Sequence, residues 1–279
     1  MTNDTYKGRW AHVDESDRTE RYVALLNRAR PDDDPAHYPN TLAWIDAQPG
    51  ERVLEVGCGN GAMARAVARG TPELREIVAV DSSAAMIAEA RRLLGERDMR
   101  VSLEVADAHH LPFPDAAFDR CYATDLFVIL PNPHQTLLEM GRVTRPGGRV
   151  LLWETDCDAR ALLGSDLALT RRLTRFVGDH EFNGAVARQL IGWCKELGWR
   201  VDVVPAVGVS EDVSPQLALL LDEWLADAQQ AGVLTPEEVT QLRADIGLRR
   251  QRGLFFAYTV NFRITATKLG DAPPTLGGV

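Results

Sequence analysis

Short apolar runs alternate with amphipathic stretches through the first half of the chain. Strand-like runs cover Arg52–Val56, Glu76–Val80, Val101–Val105, Phe118–Ala123 and Arg149–Glu154, and helical periodicity fills Ala62–Arg69, Ala84–Leu94 and Gln135–Thr144. Strands separated by helices predict a parallel sheet joined by right-handed crossovers. The runs are short and almost wholly apolar, as strands covered on both faces should be. After Glu154 the rhythm changes. Asp166–Val177 and Gly184–Leu197 read as helices, and Trp199–Val207 alternates as a strand. Ser214–Gln230 and Thr235–Gln251 read as helices again, and Leu254–Lys268 as a long last strand rich in β-branched and aromatic residues. Thr235-Pro236-Glu237-Glu238 is a capping box with proline at the first helical position. Upstream, Thr19–Ala29 and Asn40–Gln48 are helical, parted by the loop Pro31-Asp32-Asp33-Asp34-Pro35.

This pattern predicts an N-terminal helical cap over 1–48 and a sheet-forming half over 49–156. A helical insertion at 157–198 covers the site, and the remaining strands lie in 199–269 around a second helical insertion at 214–251. A frayed tail occupies 270–279. With 279 residues, 45% hydrophobic and 25% charged, the chain is long enough for one large α/β domain with insertions. The formal net charge of −9 argues against a nucleic-acid partner or an anionic membrane surface. The four cysteines form no Cys-x-x-Cys pair and no cluster with histidine at zinc spacing, so no metal site is expected. Scattered single cysteines, a polar N-terminus and the lack of any long apolar run predict a cytoplasmic protein without membrane insertion.

The most informative stretch is Val53-Leu54-Glu55-Val56-Gly57-Cys58-Gly59-Asn60-Gly61. A strand, a glycine-rich turn and a helix start form a nucleotide cradle. The spacing is not that of the dinucleotide fingerprint, and the Lys-Ser/Thr of a phosphate loop is missing. Asp81 ends the second strand, where a carboxylate can accept from both ribose hydroxyls of an adenosine. Asp107 ends the third strand, where it can accept from an exocyclic amine. Arg145-Pro146-Gly147-Gly148-Arg149 makes a sharp turn before the fifth.

These four features, in this order, resemble a class I S-adenosylmethionine-dependent methyltransferase of the group that includes the ubiquinone/menaquinone methyltransferases. The resemblance covers about residues 40–155. It implies a Rossmann-like, mostly parallel sheet of seven strands in the order 3-2-1-4-5-7-6, the last strand antiparallel, with helical N-terminal and insertion lids. It also implies S-adenosylmethionine as cofactor and S-adenosylhomocysteine as product. Carried onto this chain, Glu55 approaches the methionine amino group, and Gly57, Cys58, Gly59 and Gly61 pass the methionine and ribose. Asp81, followed by Ser82, binds the ribose, and Met86 packs on the adenine. Asp107 and Ala108 read the adenine amine, with His109 framing its edge. Ala123 and Thr124 face the sulfonium end. Cys58 is expected to be a small buried spacer, since no base or cationic partner is evident near it.

Methyl transfer needs an acceptor held in line with an already activated carbon, plus a base if the acceptor is a hydroxyl. His180, in the linker between two insertion helices, and Asp125, just after the fourth strand, are the candidates; Glu154 and Asp156 read as capping or ion-pairing groups. Phe127, Trp10 and Phe182 are candidate substrate contacts, whereas Trp193 and Trp224 lie on apolar helix faces and read as core. The acceptor expected is a small, largely apolar metabolite or natural-product scaffold, methylated on O, N or C, with a homodimer compatible with the sequence. No Asn/Asp-Pro-Pro-Phe/Tyr signature follows the fourth strand, which argues against DNA-adenine and protein-glutamine substrates. A cyclase, isomerase or non-catalytic binding protein that keeps the cofactor pocket would carry the same motifs.

Overall fold

A computed structural model describes residues 13–14, 19–29, 35–95, 99–180, 183–211 and 215–269. The strands are β1 (Arg52–Val56), β2 (Glu76–Asp81), β3 (Val101–Val105), β4 (Phe118–Thr124), β5 (Thr144–Leu162), β6 (Arg200–Ser210) and β7 (Ala257–Thr267). They form one sheet in the order β3-β2-β1-β4-β5-β7-β6. Neighbours from β3 through β5 are parallel, and β7 runs antiparallel to both β5 and β6. The predicted strand order and the antiparallel last strand both hold.

The helices are α1 (Thr19–Ala29), α2 (Pro39–Ile45), α3 (Ala62–Gly70), α4 (Ala84–Leu94), α5 (Pro133–Val143), α6 (Leu167–His180), α7 (Val186–Glu196), α8 (Pro215–Gln230) and α9 (Pro236–Gln251). Successive strand residues point to opposite faces, and the core divides accordingly. Val53, Ile77 and Ala79 pack against Met63 and Val67 of α3, Ile87 and Ala90 of α4 and Ile45 of α2. On the other face Leu54, Val56 and Val80 pack against Leu137 and Met140 of α5 and Leu190 and Cys194 of α7. A third cluster joins α6, α8 and α9 through Leu173, Phe176, Leu225, Val239 and Leu242, with Leu162 and Phe255 from the strand ends. The expected capping box is formed: Thr235 Oγ1 accepts from the Glu238 N–H at 3.2 Å and the Thr235 N–H donates to Glu238 Oε2 at 2.9 Å.

β5 departs from the sequence pattern at both ends. It begins at Thr144, so the Arg145–Gly148 turn is drawn into the sheet: the Gly147 N–H donates to the Lys268 carbonyl at 2.7 Å, and the Lys268 N–H donates to that of Gly148 at 3.0 Å. It also continues past Glu154 to Leu162, paired with β7 as far as Leu162↔Ala257, with an irregularity between Asp156 and Ala161. Residues 157–162, expected in the insertion, are strand. Asp156, Asp158 and Arg160 break the apolar alternation there, and the pairing partner, distant in sequence, decides the conformation.

Candidate active site

A cavity of about 610 Å³ opens at the carboxyl ends of the parallel strands. Val56, Val80, Ala106 and Thr124, at or just beyond the ends of β1 to β4, all line it. This is where ligands bind in open α/β sheets.

The glycine turn forms one wall. Gly57 and Gly59 line the cavity with φ of 75° and 53°. A Cβ on Gly57 would lie 2.7 Å from Leu126 Cδ1, and one on Gly59 would collide with Leu26 of α1. The left-handed φ therefore calls for glycine, and any side chain there would also have to displace a leucine. The Gly57 and Cys58 N–H groups donate to the Val80 carbonyl at 2.8 and 2.9 Å, the Gly61 N–H to the Cys58 carbonyl at 2.9 Å, and the Gly59 N–H to Asp81 Oδ2 at 2.8 Å. A phosphate-binding loop turns such donors toward the ligand; here they are used inside the protein.

Asp81 ends β2, lines the cavity and also accepts from the Ser83 N–H at 2.9 Å. Burial raises its carboxyl pKa, against the lowering effect of those two backbone donors. Each oxygen keeps a second acceptor site for a hydroxyl. Ser82 and Met86 line the cavity beside it, and Met86 packs against Val13 and Tyr22.

Asp107, Ala108 and His109 form the next part of the rim. Asp107 Oδ1 lies 2.9 Å from the His109 N–H and 2.7 Å from His109 Nδ1, and Oδ2 lies 3.2 Å from His110 Nδ1. Burial pushes the Asp107 carboxyl up, but these donors outweigh it and the net shift is downward. A proton on Nδ1 facing Asp107 makes Nε2 an acceptor. That Nε2 is buried and has no hydrogen-bond partner among the described residues.

β4 ends in Thr124, and Asp125 follows with a left-handed φ of 52° that turns its carboxylate to the cavity. Thr155 Oγ1 lies 3.0 Å from Asp125 Oδ1 and 2.7 Å from Asn261 Oδ1. Behind it, Glu154 is fully buried, and its Oε1 accepts from the Leu126 and Phe127 N–H groups at 2.8 and 2.9 Å. Burial, then the Asp125 charge, pushes the Glu154 carboxyl up to about 8.

Other expected residues lie apart from the cavity surface. Glu55, Cys58, Gly61, Ala123 and Phe127 do not line it. Glu55 and Cys58 are buried beneath the glycine turn, and burial, with the Glu55 and Asp81 charges, pushes the Cys58 thiol well up. That is the behaviour of a spacer and not of a nucleophile. Phe127 begins a 3-10 turn that directs its ring into the core with Leu126 and Leu130. Trp10 and Phe182 lie outside the described residues, as does the side chain of His180, the last residue of α6.

Apart from Phe176, an aromatic that the insertion was expected to bring to the cover, the far wall carries residues that sequence reasoning missed or placed elsewhere. Thr155, Cys157 and Arg160 reach the cavity from β5, Phe176 and Val177 from α6, and Leu220, Glu223, Trp224 and Asp227 from α8. Trp224, read as core, is a wall residue, because α8 packs on α6 and α9 with this side chain left at the cavity. Glu223 and Asp227 were recoverable from their spacing around Trp224 on one helix face; Arg160 had no local signal.

S-adenosylmethionine fits the near half of this cavity by its own chemistry. It has ribose hydroxyls for Asp81, an exocyclic amine for His109 Nε2, a flat base for Met86, and no phosphate to call on the consumed loop donors. Residues 54–152 match a family described as the methyltransferase domain. The chain is 37% identical over 174 residues to an uncharacterised 37.1 kDa protein in transposon TN4556 of Streptomyces fradiae, covering 61% of this chain and 50% of that protein. It is 35% identical over 103 residues to 27-O-demethylrifamycin SV methyltransferase of Amycolatopsis mediterranei, covering 37% of this chain and 38% of that enzyme. The chain thus spans half or less of the length of these curated relatives. In fold it is similar to a phosphoethanolamine N-methyltransferase of Haemonchus contortus solved with S-adenosylhomocysteine, with TM-score 0.60 at 20% identity over 92% of this chain and 59% of that one. Residues 54–152 are therefore similar to a methyltransferase domain, set in a seven-stranded fold that solved methyltransferases share.

Proposed function

We propose that the protein methylates a small, largely apolar metabolite or natural-product scaffold, using S-adenosylmethionine and releasing S-adenosylhomocysteine. The observation that carries this reading is the continuity of one cavity: its near half has the ribose and adenine acceptors Asp81 and His109, and its far half is walled by Phe176, Val177, Leu220 and Trp224. The mixture of apolar walls and a few placed polar groups suits a small-molecule site. The rifamycin-methylating relative supports an acceptor from secondary metabolism.

Bound in the near half, S-adenosylmethionine supplies a methyl carbon already activated on a sulfonium. Asp81 holds the ribose, His109 accepts from the adenine amine, and Met86 supports the base. Asp125 is the carboxylate nearest the strand end where transfer would occur. It takes the proton of a hydroxyl or amine acceptor, or offsets cationic charge where carbon is methylated. His180 remains the second candidate base, on α6. The four free cysteines, all buried, support action in the reducing cytoplasm.

Calorimetry with S-adenosylhomocysteine tests the cofactor half. Binding to the native protein, with Asp81→Ala reducing affinity by at least about a hundredfold for the loss of two charge-assisted hydrogen bonds, is the expected result. Unchanged affinity in that variant would overturn the assignment. Mass spectrometry across a panel of apolar phenols, amines and acids then looks for a one-methyl gain matched by S-adenosylhomocysteine release. Binding without turnover would favour the cyclase or non-catalytic alternative.

A further inference from the structure

We propose that Arg160 and Trp224 form an anchoring site for a carboxylate on the methyl acceptor, so that the substrate is an apolar organic acid. The inference rests on the methyl-transfer reading for what happens to the acid, and on the far wall alone for its binding.

Arg160 projects into the cavity from the irregular stretch of β5 between Asp156 and Ala161. Its guanidinium carbon sits 4.6 Å from the centre of the Trp224 ring. Its Nη2 lies 3.8 Å from Cys157 Sγ, a weak acceptor. Nε and Nη1 are buried and donate to no group among the described residues, and the neighbouring Asp156 and Asp158 pair with Arg188 instead. A permanent charge with unmatched donors is costly in an apolar enclosure. Stacking on the indole recovers part of that cost and fixes the plane of the fork. A planar, monoanionic carboxylate would supply the acceptors the fork lacks.

The surroundings select among anions. Phe176, Val177 and Leu220 make the adjacent wall apolar, which calls for an apolar body behind the charged group. Glu223 and Asp227 line the same wall from α8. Glu223 is held 2.9 Å from Arg21 of α1. With these carboxylates on the same wall, a dianionic phosphate is disfavoured more than a singly charged acid. The site therefore suits a carboxylate over a phosphate monoester.

The test uses the whole chain saturated with S-adenosylhomocysteine and three probes that share a naphthalene body: 1-naphthoate, its isostere 1-naphthamide, and 1-naphthyl phosphate. Calorimetry is expected to show naphthoate binding about tenfold or more tighter than the neutral amide. Arg160→Gln should erase that preference and leave S-adenosylhomocysteine affinity unchanged, which also proves the variant folded. Arg160→Lys, which keeps the charge and loses the fork, should fall between the two, and it serves if the glutamine variant does not fold. A preference that survives Arg160→Gln overturns the proposal, as does failure of the native protein to bind naphthoate; tighter binding of the phosphate overturns the choice of acid. If naphthoate discriminates while S-adenosylhomocysteine fails to bind, the anchor stands and the methyl-donor reading falls. The reverse pattern removes only the anchor.

Discussion

At the scale of single residues, Glu154 is the most consequential buried group. Its Oε1 holds the turn after β4 by accepting from two backbone N–H groups, and an oxygen can do this whether or not the other carries a proton. Burial and then the neighbouring Asp125 charge raise its pKa from 4.5 to about 8, so the folded state binds a proton that the unfolded chain has released. Its contribution to stability is complete below the unfolded value of 4.5 and is lost as pH rises through about 8. Urea midpoints measured from acid to mildly alkaline pH should fall across that window, and Glu154→Gln should flatten the fall. Parallel curves for the two proteins would refute the assignment. Glu154→Ala, which leaves two buried donors unmatched, should cost about 2–4 kcal/mol in the same measurement. Asp81 and Asp107 were legible in the sequence because a carboxylate at a strand end is a positional signal. Phe127 and Trp224 exchanged their expected places because the direction of a ring after a turn, or across a helix, depends on what packs over it.

At the scale of elements, α1 ties three parts of the molecule together. Leu26 stands against Gly59, and Asn27 Oδ1 accepts from Asn60 Nδ2 at 3.0 Å while its Nδ2 donates to Glu89 of α4. Arg21 pairs with Glu223 of α8. Gly59→Ala should push α1 off the glycine turn, because the new methyl meets Leu26 and the left-handed φ adds about 1 kcal/mol of strain. The readouts are weaker S-adenosylhomocysteine binding and faster proteolysis within residues 19–29. Leu26→Ala in the same chain should restore part of both, since it removes the steric share and leaves the strain. If the second change restores nothing, α1 does not rest on the turn. The periodicity of Thr19–Ala29 identified this helix, but its docking depends on contacts with residues far along the chain. β5 makes the same point: its apolar middle was readable, and its charged extension became strand only through β7.

At the scale of the whole molecule, the sheet and its cover are built around different apolar clusters, joined where Leu162 at the end of β5 enters the cluster of the cover. The two sheet-face clusters hold β1 to β5 with α2 to α5 and α7, whereas α6, α8 and α9 share a cluster of their own. Local opening follows such divisions. Hydrogen exchange should show less protection across 215–251 than across 52–81, and S-adenosylhomocysteine should slow exchange around residues 57–61. Equal protection in both regions would mean that the cover is part of one cooperative unit. The parallel sheet was legible in the alternation and its strand order in the resemblance, while the composition of the far wall was not, since three non-contiguous segments build it. One of those segments is β5, which carries Thr155 next to Asp125 and, farther on, Arg160 on the outer wall. Five residues of extended chain span roughly 15 Å, less where the strand is irregular. Under the proposed function, β5 is thus a ruler between the reacting end and the outer wall: one residue gained or lost at the irregularity would regauge the molecule for longer or shorter acceptors and leave the proposed methyl-donor half untouched.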